Sequence, residues 1–237
     1  MMHAVERYTS RAATEVAVRF GLFRRLKPVS HSFGIPRGKP VDRHYIERFV
    51  AAHRGDIRGR VLEGGGYVCY ARKFGDDRVD EVDILYPKPG FADGTLVGDL
   101  ATGENIAAEA YDCLLLTQVF PCIYDVRGAA ETCLRALKPG GVLLATLGGI
   151  GQLPAVDKRE WGSYWRFTDD SARQLFGGIF GQDNIEVETF GNVLAACALL
   201  QCLSSNDLAA HELDHHDAEY QVTVAVRAVK PGASTPA

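Results

Sequence analysis

The sequence has no CxxC pair, no surplus of positive charge and no apolar run long enough to span a bilayer, and each absence closes a class of function. Its six cysteines, Cys69, Cys113, Cys122, Cys133, Cys197 and Cys202, lack the paired spacing of a zinc site or a disulfide framework. Cys113, Cys133 and Cys197 lie inside apolar segments, so reduced, buried thiols are expected. With 26 Lys and Arg against 30 Asp and Glu, a formal charge of -4, the chain carries no electrostatic footprint for nucleic acid or an anionic membrane. The start, MMHAVERYTSRAATEV, is polar and without the apolar core of a secretory leader, which predicts a cytoplasmic protein. Internal repeats and low-complexity blocks are absent as well.

What is there is a chain of 237 residues, 46% hydrophobic and 24% charged, inside the globular range and long enough to bury one large core. Val16, Val18, Phe20, Leu22 and Leu26 recur at roughly helical spacing, which predicts a helix within residues 4–26 that breaks at Lys27-Pro28. A second helix is expected over 42–53. From residue 59 the pattern changes to short apolar runs separated by helical ones: RVLEGGG, EVDILY, TLVGDL, YDCLLLTQVF and GVLLATLGG. Such runs suit strands buried on both faces, the mark of a mostly parallel sheet with crossover helices. A helix over 126–137 should be capped by Asp125 and stopped by Lys138-Pro139-Gly140-Gly141, and another is expected over 169–176. IEVETFGN and YQVTVAVRAVK alternate more and are expected to close the sheet as an antiparallel pair. The expected organisation is an N-terminal helical lid over 1–58, a doubly wound α/β domain over 59–230 and a tail over 231–237 with too few apolar residues to pack.

In an open α/β sheet, ligands bind beyond the carboxyl ends of the strands, where the strand order reverses. The first strand runs into Glu63-Gly64-Gly65-Gly66, where glycines let the backbone pass close to a ligand and the acid can accept hydrogen bonds. A tight strand-to-helix turn without a ligand would read the same way. Asp83 in EVDIL and Asp99 in LVGDL then place an acid at the expected end of each of the next two strands. A carboxylate at the second strand's end can take both hydroxyls of a ribose, and one a strand further can accept from the exocyclic amine of adenine. Singly, either acid also fits a solvated turn; three in register are harder to dismiss.

With these runs in this order, the chain resembles class I S-adenosylmethionine-dependent methyltransferases over about residues 40 to 230. The residues that carry the resemblance are RVLEGGG, Asp83, the GDL around Asp99, YDCLLLTQVF, and LRALKPGGVLLAT for a helix and the fifth strand. GKPVDRHYIERF before the sheet and WGSYWRFT after the fifth strand resemble a bacterial subgroup of small methyltransferases associated with glycan and secondary-metabolite pathways. The resemblance implies a seven-stranded Rossmann-like sheet with S-adenosylmethionine as cofactor. It implies that Glu63, Gly64 and Gly65 border the cofactor's amino acid portion, that Asp83 holds the ribose, that Asp99 with Leu100 frames the adenine, and that Gln118 faces the transfer centre. The usual first motif continues with glycines where this chain has Tyr67 and Cys69, which removes freedom in φ from the loop.

Methyl transfer is an in-line displacement that needs an aligned nucleophile and, for a hydroxyl acceptor, a base. His44 in DRHYIERF is the candidate base, either over the site or on the helix's solvent face. Arg43 could grip a carboxylate and Tyr45 shares the segment, which makes both candidate substrate contacts. Trp161, Tyr164 and Arg166 in WGSYWRF suit a sugar ring or a flat acceptor, or else plug a loop onto the core. The cluster His211-Glu212-Leu213-Asp214-His215-His216-Asp217 fits no established zinc spacing and reads as a solvated connection, so no metal is expected. The expected activity is methyl transfer to a hydroxyl of a sugar or small natural product, with no nucleic acid or membrane partner and with homodimerisation left open. A catalytically silent partner protein, or a non-methylating enzyme such as a cyclase on the same fold, remains the alternative.

Overall fold

The computed structural model describes residues 25–31, 33–66, 68–153 and 155–232. The helix expected within 4–26, Tyr67 and most of the C-terminal tail lie outside the described residues; Arg25 and Leu26 themselves are not helical. The strands are β1 (Gly59–Gly64), β2 (Val79–Tyr86), β3 (Leu96–Val97), β4 (Tyr111–Thr117), β5 (Leu137–Gly148), β6 (Ile185–Phe190) and β7 (Thr223–Val229). They form one seven-stranded sheet in the order β3-β2-β1-β4-β5-β7-β6. Pairing is parallel from β3 through β5, and β7 runs antiparallel to both β5 and β6. The chain therefore works outward from β1 in one direction and then returns to start again at β4, so the topological switch lies between β1 and β4.

Helices cover both faces because the central strands are apolar on both. On one side α1 (Val41–Ala52) and α2 (Tyr70–Gly75) bring Ile46, Phe49, Val50 and Tyr70 against Val61, Cys113, Leu115 and Leu144. On the other, α3 (Val126–Ala136) and, after the short α4 (Ala155–Glu160), α5 (Asp169–Phe180) bring Ala130, Cys133 and Phe176 against Leu114, Leu116 and Leu143. Burying a ring such as Phe176 contributes about 1.5–3 kcal/mol. The expected cap on α3 is present, the Asp125 carboxylate accepting from the Gly128 N–H. A Thr168–Ser171 capping box starts α5, which continues past the expected 176 to Phe180 and stops at Gly181, φ +92°.

Three expectations are revised. Lys138-Pro139-Gly140-Gly141 does not precede the fifth strand but belongs to it. Leu137 already pairs with Tyr111, and a register shift before Cys113 absorbs the turn, with Gly140 at φ +77°. Second, α7 (Ala210–Asp214) occupies part of the stretch expected as a solvated connection, and α6 (Val193–Leu200) lies where no element was assigned. Third, Cys197 is exposed on α6, whereas Cys113, Cys133 and Cys202 are buried. All six cysteines are free thiols, and no helix among the described residues is long and apolar enough to cross a membrane.

Candidate functional site

The carboxyl ends of β1, β2 and β4 meet at the switch point, and Glu63 organises the loop there. Its side chain is 1% exposed. One oxygen accepts the Tyr70 N–H at 2.7 Å; the other accepts the Ala71 N–H at 2.9 Å and the Cys69 thiol at 3.1 Å. Burial pushes the Glu63 carboxyl up, against the pull of the two backbone N–H groups. The acid thus ties the glycine loop to the start of α2 from inside, so its charge faces the loop rather than open solvent.

The glycines answer to close approach, since none of Gly64, Gly65 and Gly66 has positive φ. A Cβ on Gly64 would fall 2.5 Å from Val119 Cγ2, and one on Gly65 would fall 2.1 Å from the Tyr86 ring. A Cβ on Gly66 would meet nothing within 4 Å. Cys69 has an ordinary extended backbone, φ -84° and ψ 100°, so the absence of glycine there strains nothing.

The end of β2 is not where the sequence placed it. The strand runs on through Ile84 and Leu85 to Tyr86, and Asp83 lies inside it. The Asp83 carboxylate accepts from Arg60 at 2.8 and 3.1 Å and from the Tyr111 hydroxyl at 3.0 Å, both on the amino half of the sheet. Burial and this acid push the Tyr111 hydroxyl up to about 12. The residue beside Gly65 is Tyr86, whose hydroxyl donates to Asp93 at 3.2 Å and whose ring stacks on Phe91 at 4.0 Å. Pro87, directly after Tyr86, was the stop signal that marks this end.

Asp99 does follow β3. Its carboxylate accepts the Ala101 N–H at 2.7 Å and its backbone bridges to Glu104. Leu100 is buried, in the same core cluster as Leu62 and Leu85. Gln118 lies just past β4 with φ +59°, its N–H donating to Thr146 at 2.8 Å. A Cβ on Gly148 would stand 3.1 Å from its Oε1. A non-glycine residue at positive φ on a strand end is the kind of local strain that collects at functional sites.

α1 runs back across the sheet, so its first turn sits at the carboxyl edge. Arg43 reaches α2 there, Nη1 donating to the Tyr70 hydroxyl at 3.4 Å. His44 Nε2 is buried without a hydrogen-bond partner, and burial, with the nearby Lys39, lowers the imidazole pKa. Tyr45 is a correction. It is buried on the opposite flank of α1, its ring stacked on Phe190 at 5.8 Å and its hydroxyl donating to the Leu213 carbonyl, where burial pushes it up to about 12. Tyr45 shares its helical stripe with Val41 and Phe49, both buried, a spacing that already marked it as core.

The loop between β5 and α5 crosses the carboxyl edge and separates residues expected together. Trp161 lies against Phe91 at 5.2 Å and Tyr86 at 6.2 Å, with Lys88 over its ring at 4.7 Å and Lys88 paired to Glu160. Tyr164 lies at the β4 end instead, its N–H donating to Pro121. Next to it, Trp165 Nε1 donates to the Ile123 and Tyr124 carbonyls. Arg166 donates to Gln152 and Trp165 carbonyls and so braces the loop itself. Tyr86, Phe91, Lys88 and Asp93 were missed by sequence reading. The acidic-histidine cluster is a folded element: Asp214 pairs with Arg48, and His216 Nε2 meets Thr189 Oγ1. Among the described residues no group of three His, Cys, Asp or Glu is placed to hold a metal.

No protein-family model matches the chain, and no curated protein matches it. Solved structures do. A chain of the complex that contains the Haloferax volcanii Trm112 methyltransferase activator is 16% identical, with TM-score 0.52 over 85% of this chain and 99% of that one. The [4+2]-cyclase SpnF is 15% identical, with TM-score 0.52 over 80% and 81%. The N-methyltransferase NodS from Bradyrhizobium japonicum WM9, solved with S-adenosyl-L-homocysteine, is 11% identical, with TM-score 0.51 over 86% and 95%. These likenesses establish the fold as the Rossmann-like one of methyltransferases.

Proposed function

We propose that this chain transfers a methyl group from S-adenosylmethionine to a hydroxyl of a small-molecule acceptor, a sugar or a natural product. The observation that carries the reading is the loop at the switch point: Gly64 and Gly65 packed at close range, fastened by the buried Glu63, and Gly66 open where a Cβ would meet nothing within 4 Å. That open backbone is a fit for the amino acid portion of the cofactor. Arg43, which reaches from α1 to Tyr70 at the start of α2, suits its carboxylate. Tyr86 with Asp93, at the true end of β2, offers hydroxyl and carboxylate for a ribose. Asp99, whose carboxylate follows β3 and accepts the Ala101 N–H, would take the adenine amine. When bound, the cofactor supplies an electrophilic methyl on a sulfonium.

The remaining work is alignment, exclusion of water and removal of one proton. The β5–α5 loop closes over the carboxyl edge and would exclude water, with Trp161 over the Tyr86–Phe91 stack, Tyr164 on the acceptor side at the β4 end, and Arg166 bracing the loop. Gln118 at the β4 end would face the transfer centre, beside the cofactor. His44, with a lowered pKa and an unpartnered Nε2, is the proposed base. The Tyr86 ring on Gly65 favours a second reading, a protein whose loop is filled by its own side chain and which performs no methylation; a cyclase among the similar folds is consistent with that.

Calorimetry with S-adenosylmethionine and S-adenosylhomocysteine separates the two. Binding near micromolar, about -8 kcal/mol, supports methyl transfer; the absence of binding at millimolar ligand supports the second reading.

A further inference from the structure

The histidine-rich turn that leaves α7 closes one side of a cleft at the edge of the sheet. The cleft has a volume of about 170 Å³ and lies between α1, the end of β6 and this turn. β6 is the edge strand furthest from β3, so the space lies apart from the loop at the switch point. Tyr45 and Phe190 line it with rings stacked at 5.8 Å, and the Arg48 guanidinium lies 5.8 Å from the centre of the Phe190 ring. Contact with the ring face holds that cation at the cleft independently of any acid.

The turn is fastened from inside. Asn192, 4% exposed, donates from its amide nitrogen to the Glu212 and His215 carbonyls at 2.7 and 2.8 Å, and the Asp217 N–H donates to the Gly191 carbonyl at 2.9 Å. These bonds clip the turn to the end of β6 and fix where His215 and His216 stand. His216 Nε2 also meets Thr189 Oγ1 at 2.8 Å. Arg48, His215 and His216 therefore bring N–H donors to one small, pre-shaped space. The acid on its wall, Asp214, takes a single bond from Arg48 Nη1 at 2.9 Å, with the two side chains 63% and 50% exposed. An exposed pair of this kind is weak, and a guanidinium has further N–H groups to offer.

We propose that this cleft binds a phosphate group, inorganic or on a small ester, with Arg48, His215 and His216 as its donors and Asp214 as the internal carboxylate that it displaces. A tetrahedral oxyanion has oxygens for all three donors, whereas a carboxylate has two. Size agrees: at about 30 Å³ per water the cleft holds the equivalent of roughly five or six waters, room for a phosphate and too little for a nucleotide.

The test uses the full chain, with calorimetry against inorganic phosphate and against glycerol 2-phosphate. At least one should bind with a Kd below about 1 mM, and the tighter of the two identifies the source of the group. Arg48→Gln should weaken that binding at least about tenfold, the size of one charge-assisted hydrogen bond. Asp214→Asn removes the competing carboxylate and should tighten it about two- to fivefold, the size of an exposed ion pair. A merely structural ion pair would not move the two variants in opposite directions. Diethyl pyrocarbonate with peptide mass spectrometry then places the ligand: phosphate should slow modification of His215 and His216 and leave His211, exposed on α7 and off the cleft wall, unchanged. No binding of either compound at about 10 mM would overturn the proposal. Unchanged binding in Arg48→Gln, weaker binding in Asp214→Asn, or equal protection of His211 would overturn it as well.

Discussion

Tyr111 donates its hydroxyl to Asp83 at 3.0 Å, from the first residue of β4 to the interior of β2. The same oxygen accepts two bonds from Arg60 on β1, whose guanidinium lies 5.3 Å from the centre of the Tyr111 ring. One carboxylate thus joins three neighbouring strands. Arg60 is partly exposed, so its ion pair contributes little by itself; the buried Tyr111 hydroxyl is the group left without a partner if the acid is removed. Asp83→Ala is expected to lower the unfolding free energy by about 1–3 kcal/mol and to leave S-adenosylhomocysteine affinity unchanged. Urea unfolding alongside calorimetry checks both; lost affinity at unchanged stability would return Asp83 to the cofactor site.

Tyr86 is expected to matter where Asp83 does not. Gly65→Ala puts a Cβ 2.1 Å from the Tyr86 ring, so the ring must leave the loop and its hydroxyl must leave Asp93. Tyr86→Phe keeps the stack on Phe91 and deletes only the hydroxyl. If Tyr86 and Asp93 meet the ribose, Tyr86→Phe should weaken S-adenosylhomocysteine binding by about tenfold, the size of one hydrogen bond, with Trp161 emission changing on binding. Undiminished affinity in Tyr86→Phe would remove the pair from the site.

The difference between these two residues shows how far the chain could be read without its fold. Strands alternate with helices strongly enough that every strand, the Asp125 cap and the α5 start were legible, because each depends on neighbours close in sequence. The end of β2 was not, because Asp83 interrupts an apolar run and invites an early stop, while the fact that decides it is the parallel pairing of Leu85 with Gly64. Trp161 was legible as a candidate contact, but its seat on Phe91 and Tyr86 is set by a loop crossing three strand ends. α6 went unassigned for a related reason: VLAACALL has no polar residue from which to read a period.

The segment before α1 carries its own pH dependence. Arg37 makes a two-bond ion pair with Asp207, which also accepts from the Ser204 N–H, and the Arg37 bond holds the Asp207 carboxyl down at about 2. A depressed folded pKa contributes stability that is present above the unfolded value near 3.8 and lost as pH falls through about 2. Asp207→Asn should therefore be less stable than the parent at pH 5, with the difference shrinking below pH 4 and gone near pH 2. Because both side chains are partly exposed, the difference at pH 5 should be small, below about 1 kcal/mol, and reduced by salt. A difference that persists at pH 2 would assign it to packing instead of charge.

His44 provides the sharpest separation between chemistry and scaffold. Burial, Lys39 and Arg48 lower its pKa below 6.5, against Asp214 and Glu47, which raise it. The sign follows directly: the imidazole gives up its proton more readily than a free one, so a rate that requires the free base rises with pH through a limb whose midpoint lies below 6.5. Under saturating cofactor and acceptor, kcat should show this acid limb. His44→Gln should abolish the limb and lower kcat by about 10²- to 10⁴-fold, the usual contribution of a positioned base. S-adenosylhomocysteine affinity should stay unchanged in that variant, since His44 is not assigned to the cofactor. An acid limb that survives in His44→Gln would move the base elsewhere on the carboxyl edge, and a parallel fall in cofactor affinity would instead make His44 a support for the first turn of α1.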